Sequence, residues 1–136
     1  LLDAEYMVAM RKAHPAAAGF DLEAWLAWPH VVVSGRGDLR TPLDSRLAGM
    51  GYRRRVGLVI PSFQLVPAVL ASSDLIAMLP RQTIAAQAHL DLAVFPPPFA
   101  VEGFTLNLAW HVRQTRDHAV QHVLEIVRET FRFERA

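Results

Sequence analysis

The sequence has no cysteine among its 136 residues. Disulfides, thiolate catalysis and cysteine-ligated zinc are therefore excluded. Net charge is nearly absent too. Against 14 Lys and Arg stand 13 Asp and Glu, a formal +1 with histidine neutral. That balance supplies no basic stripe of the kind a duplex nucleic-acid binder needs. No apolar run reaches the roughly 18 residues of a membrane-spanning helix, so no membrane partner is expected. "LLDAEYMVAM" places Asp3 and Glu5 where the apolar core of a signal peptide would lie. The first residue is Leu1 rather than Met, which reads as the start of a fragment.

What remains is a core. Hydrophobic residues make up 52% of the chain and charged residues 20%, the composition of a globular domain. A chain of this size buries roughly two thirds of the surface that its unfolded form exposes.

Strand and helix signals alternate along it. "EYMVAMR", "HVVVS", "RRVGLVI", "DLIAML", "LDLAVF" and "FTLNLAWHV" read as strands. Pro15 directs His14 into an extended conformation. "DLEAWLAWP" reads as a helix capped by Asp21 and stopped before Pro29. "TPLDSRLAGMG" has Thr41 as cap, Pro42 at the first helical position and Gly51 past the end. "SFQLVPAVLASS" reads as a helix capped by Ser62 and interrupted by Pro67. "PRQTIAAQAH" starts a helix at Pro80, and "PPPFAVEG" is a stiff linker. A last helix runs from about Asp117 to Arg132, with Val120, Val123, Leu124, Val127 and Phe131 as one apolar stripe. The alternation predicts an α/β fold, a mainly parallel sheet with helices on both faces.

Candidate chemistry is sparse. His118 and His122 have the spacing of a zinc pair, but Ala119, Val120 and Gln121 lie between them and no third ligand is near. No metal site is expected. Arg53, Arg54 and Arg55 read as a solvated strand edge. "SGRG" lacks both common nucleotide-loop patterns, and no G-x-S-x-G elbow is present. Neither a cofactor nor enzymatic activity is expected.

In open α/β sheets, ligands sit beyond the carboxyl ends of the strands. Two predicted strands end at Ser34 and Gly35 and at Pro61 and Ser62, each ahead of a helix. Ser62 can donate and accept, and Phe63 would supply an apolar wall. This describes a binding cleft with no catalytic group. The alternative, that Ser62 is only a helix cap, stays open at this point.

The order of these motifs resembles one family. "EYMVAMRKAHP", "FDLEAWLAWPHVVVS", "DSRLAGMGYRRRVGLVIPSF", "LASSDLIAMLP" and "LAWHVRQTRDHAVQHVLEIV" together are similar to the effector-binding domain of LysR-type transcriptional regulators. The resemblance implies a type 2 periplasmic-binding-protein-like fold of two lobes with a ligand in the cleft between them. Residues 5–98 would form a complete second lobe. Residues 99–136 would return towards a first lobe that is mostly missing. The winged helix-turn-helix that binds DNA in this family would lie in a segment absent from the sequence.

By position, the family's cleft contacts fall at Ser34, Gly35, Pro61, Ser62 and Phe63. The resemblance implies a small organic effector as partner, with an aromatic carboxylate among the candidates. It also implies a homo-oligomer in the cytoplasm. One lobe of an extracytoplasmic solute-binding protein is the alternative, since it would share fold and cleft.

Overall fold

A computed structural model describes residues 1–133 of the chain. Its elements are β1 (Leu2–Ala4), β2 (Tyr6–Arg11), α1 (Leu22–Ala27), β3 (Pro29–Val33), α2 (Pro42–Gly49), β4 (Arg55–Ile60), α3 (Val66–Ala71), β5 (Ile76–Pro80), α4 (Arg81–Ala85), β6 (Leu92–Phe95), β7 (Phe104–Leu106) and α5 (His118–Phe133), with short 3-10 turns between some of them. They divide into two compact units. The larger is Glu5–Glu102, and the smaller joins Leu1–Ala4 to the described residues from Gly103 onward. The last part of the expected 99–136 segment, residues 134–136, lies outside the described residues.

The larger unit is built on a five-stranded sheet in the order β4-β3-β5-β2-β6. β3 runs parallel to β4 and β5, while β2 runs antiparallel to β5 and β6. Four strands therefore share one direction, and β2 opposes them. The sheet is mainly parallel, as the alternation predicts.

Helices cover both faces. On one, Trp25 of α1 and Leu47 of α2 pack with Val8, Met10 and Ile76. On the other, Val66 and Leu70 of α3 pack with Ala9, Val31, Ala77 and Leu79. Apolar side chains on both faces of β2, β3 and β5 make these buried central strands.

Local chemistry sets the helix starts. Asp21 Oδ1 accepts the Ala24 N–H at 2.8 Å and opens α1. Asp44 Oδ2 accepts the Thr41 N–H at 2.7 Å at the start of α2, and Gly51, two residues past its end, has φ of 79°.

The stretch after β4 differs from the expected single helix. Ser62 caps a 3-10 turn, Phe63–Leu65, and α3 then begins at Val66. Pro67 sits in the first turn of α3 instead of interrupting a helix, because the N–H it lacks has no intrahelical partner there. The helix after Pro80 is also shorter than expected. α4 ends at Ala85, and a further 3-10 turn, Ala88–Leu90, follows.

In the smaller unit, β1 pairs antiparallel with β7, Leu2 facing Leu106 and Ala4 facing Phe104. Thr105 Oγ1 donates to Asp3 Oδ1 across the pair at 2.7 Å. The expected strand over "FTLNLAWHV" is only three residues long in the structure. Asp117 Oδ1 accepts from the Ala119 and Val120 N–H groups and opens α5. Leu124 is buried on that helix, whereas Val123, expected in the same stripe, is 57% exposed.

Candidate functional site

β3 and β4 end together. Their parallel register places Val33 opposite Ile60, and the Ser34 N–H donates to the Ile60 carbonyl at 3.0 Å. One hydrogen bond thus ties Ser34 and Gly35 to Pro61, Ser62 and Phe63 at the carboxyl edge of the sheet. β5 ends at the same edge, since it runs parallel to β3 with Ala77 opposite Val31. β2, running the other way, begins there with Tyr6 opposite Pro80.

Ser34 organises its own loop. Its Oγ accepts the Asp38 N–H at 3.0 Å and the Arg36 N–H at 3.3 Å. Gly37, with φ of 79°, lets the chain turn inside that loop. Gly35 is exposed, and a Cβ built on it would meet nothing within 4 Å. The backbone at Gly35 is therefore open to approach from outside.

Ser62 Oγ accepts the Gln64 N–H at 3.3 Å. Capping is thus a role the fold gives this hydroxyl, and a cap that accepts still has its own proton to donate. Phe63 is partly buried against the α3 face of the sheet, and Pro61 is exposed.

Sequence reasoning missed the contribution of β5. Past its end stand Arg81 and Gln82. The Arg81 N–H donates to the Glu5 carbonyl at 2.9 Å, and its Nη2 reaches Glu5 Oε2 at 3.2 Å. Gln82 Oε1 is buried and accepts no hydrogen bond from the described residues. The signal was present: "DLIAMLP" is a strand ended by proline, and the edge rule applies to it as much as to the two strands chosen.

The other polar groups singled out lie elsewhere. Arg54 is not solvated: it is 7% exposed and holds Asp44 through two hydrogen bonds, at 2.7 and 2.8 Å. Burial pushes the Asp44 carboxyl up, but the bonds from Arg54 and from the Thr41 N–H outweigh it and hold it at about 2. Arg53 and Arg55 are exposed. His30 is fully buried, and its Nε2–H donates to the Trp25 carbonyl at 2.8 Å. Burial drives this imidazole down to about 4, against the opposing pull of that bond. His118 and His122 are exposed on α5. The described residues contain no group of three or more His, Asp or Glu able to hold a metal ion. None of the described helices is long and apolar enough to cross a membrane.

The edge offers hydroxyls, backbone and an aromatic wall. It suits the binding of a small polar organic molecule.

Comparison with known proteins bears on the family and the fold. The model for the LysR substrate binding domain matches residues 1–132. NagR, an HTH-type transcriptional activator of a Ralstonia species, is 29% identical over 128 residues, 93% of this chain and 42% of that protein. The regulatory domain of MexT, a transcriptional activator in Pseudomonas aeruginosa, superposes with a TM-score of 0.74 at 28% identity, over 92% of this chain and 60% of that one. The effector binding domain of QuiR, in complex with shikimate, shares the fold with a TM-score of 0.60 at 20% identity, over 76% of this chain and 50% of that one.

The chain spans less than half the length of the activator it matches. Similarity to transcription regulators does not favour the solute-receptor alternative. The chain belongs to the LysR substrate-binding domain family.

Proposed function

We propose that this chain is the effector-sensing part of a bacterial LysR-type transcription regulator. It binds a small organic molecule at the carboxyl edge of the sheet and carries out no reaction. The contacts are the Ser34 and Gly35 backbone, Ser62 as hydrogen-bonding group, and Pro61 and Phe63 as apolar surface. The observation that carries this reading is the Ser34 N–H to Ile60 carbonyl bond, which brings two separate stretches of sequence to one edge. Shikimate in the QuiR complex is a hydroxylated carboxylate, and an effector of that general chemistry suits an edge rich in hydroxyls and backbone.

In this reading the larger unit is the family's second lobe, and the smaller unit belongs to its first. The effector favours one arrangement of a homo-oligomer over another, to the extent of its differential affinity for the two. DNA contact falls to a helix-turn-helix outside this chain, and the site of action is the cytoplasm. An aromatic carboxylate is the finer assignment within the same class.

Gly35 provides the test. A side chain there meets no neighbouring atom within 4 Å, so Gly35→Val is expected to fold normally. The branched side chain would stand over the edge. Titration calorimetry with shikimate and with benzoate is expected to show binding by the parent chain and at least a tenfold loss in the variant. Unchanged affinity in a folded Gly35→Val chain would place the ligand elsewhere.

A further inference from the structure

Trp25 and His30 bury two polar atoms that effector binding does not employ. The indole N–H of Trp25 and Nδ1 of His30 have no hydrogen-bond partner among the described residues. Both residues are fully buried. Buried donors and acceptors are nearly always paired, because an unpaired one forfeits its hydration and gains nothing in return.

The two atoms are complementary. His30 Nε2 lies 2.8 Å from the Trp25 carbonyl, which can only accept, so Nε2 carries the proton. The neutral imidazole then keeps a bare lone pair on Nδ1, while the indole nitrogen can only donate. The two rings also touch. Their centroids are 4.2 Å apart, in an edge contact at 63°. The surroundings are apolar. Phe99 packs edge-on against Trp25 at 5.2 Å, and Val8, Met10, Leu47 and Ile76 share the same cluster. Within this cluster, then, each orphaned atom has the other as its nearest polar counterpart in chemistry, one donor and one acceptor.

We propose that one enclosed water molecule is a built part of this core, accepting from the Trp25 indole N–H and donating to His30 Nδ1. A single molecule so placed satisfies both atoms. Enclosed waters take up such leftover polar groups and are costly to remove. With the His30 Nε2–H bond to the Trp25 carbonyl, the water ties α1 to the start of β3 a second time through the same pair of residues. His30 stands near the opposite end of β3 from Ser34, so this site is separate from the effector edge and does not depend on it.

Water-selective NOE and ROE transfer on the isotope-labelled chain near neutral pH tests the assignment. The Trp25 indole N–H is identified by its through-space contact with the Phe99 ring. It is expected to receive magnetisation from water with the sign of dipolar transfer rather than of chemical exchange. Long-range proton–nitrogen correlation is expected to show the His30 proton on Nε2 and Nδ1 bare. His30→Phe removes the acceptor, and the water transfer to Trp25 is expected to be lost. If that variant does not fold, the parent spectra decide alone.

No water transfer in the parent would overturn the assignment, and so would a proton on Nδ1. A nitrogen–nitrogen coupling between indole and imidazole would show a direct bond between the rings and overturn it as well. Water transfer that persists in a folded His30→Phe chain would remove His30 from the site and overturn the bridge.

Discussion

Arg54 is buried, yet its guanidinium is well supplied with acceptors. Asp44 accepts from Nε and Nη2, and Thr41 Oγ1 accepts from Nη2 at 3.0 Å. Removing one partner of such a pair leaves the other charge uncompensated, so the three residues act as a unit. His14 is likewise satisfied: Nδ1 accepts the Ala16 N–H at 3.0 Å and Nε2 reaches the Asp74 carbonyl at 3.1 Å. His30 differs, because only one of its ring nitrogens has a partner among the described residues.

That difference has a pH signature. Above pH 6.5, His30 is neutral in both the folded and the unfolded chain. As the pH falls below 6.5 the unfolded chain takes up this proton, while the folded one resists until about 4. Stability is therefore lost across that window, by about 3 kcal/mol at its lower end. Asp44, held at about 2 against an ordinary 3.8, adds a second loss as the pH falls through that lower range. Urea denaturation from about pH 7 to about pH 4.5 is expected to show a falling midpoint, with a smaller fall in His30→Gln. An unchanged slope in that variant would contradict the role given to His30.

Among the elements, β4 shows why a glycine is needed inside a strand. Pro29 faces Arg55 and His30 faces Val56, but Val31 faces Leu58. Gly57 is the extra residue of a bulge. A Cβ there would stand 2.9 Å from both Leu75 Cδ2 and Pro29 Cβ. The proline ring cannot move aside as a flexible side chain would. Gly57→Ala is expected to destabilise the chain by about 1–3 kcal/mol, read as a lower urea midpoint. A midpoint equal to that of the parent would mean that the close approach is easily relieved.

The element scale also shows what the sequence reveals and what it hides. Helix starts are legible at Asp21 and Thr41, because a side-chain acceptor near the first turn is local chemistry. The carboxyl edge is legible at Ser34 and Ser62 for a similar reason: an apolar strand stops at a serine or a proline. The direction of β2 is hidden. Val8, Ala9 and Met10 are fully buried on both faces, and such a run looks the same whichever way the strand points. β1 is hidden as well, because a three-residue strand exists only through its pairing with β7, about a hundred residues away. The Ser34–Ile60 bond and the buried oxygen of Gln82 are long-range facts of the same kind. Only the fold places them.

At the scale of the molecule, the two units differ in how much apolar surface they leave open. In the smaller one, Val112 is 79% exposed, Val123 57% and Ile126 49%. Apolar surface of this kind marks a place that other protein covers when it forms one contiguous patch. This accords with the proposed place of the chain within a larger oligomeric regulator. The larger unit carries the sheet edge, and the central claim is that the effector binds there. The most direct measurement is amide chemical-shift mapping of the isotope-labelled chain during titration with shikimate and with hydroxybenzoates. Perturbations are expected to concentrate at Ser34, Gly35, Ser62 and Phe63. Perturbations confined to α5 or to the surroundings of Trp25 and His30, or none with any probe, would contradict the account.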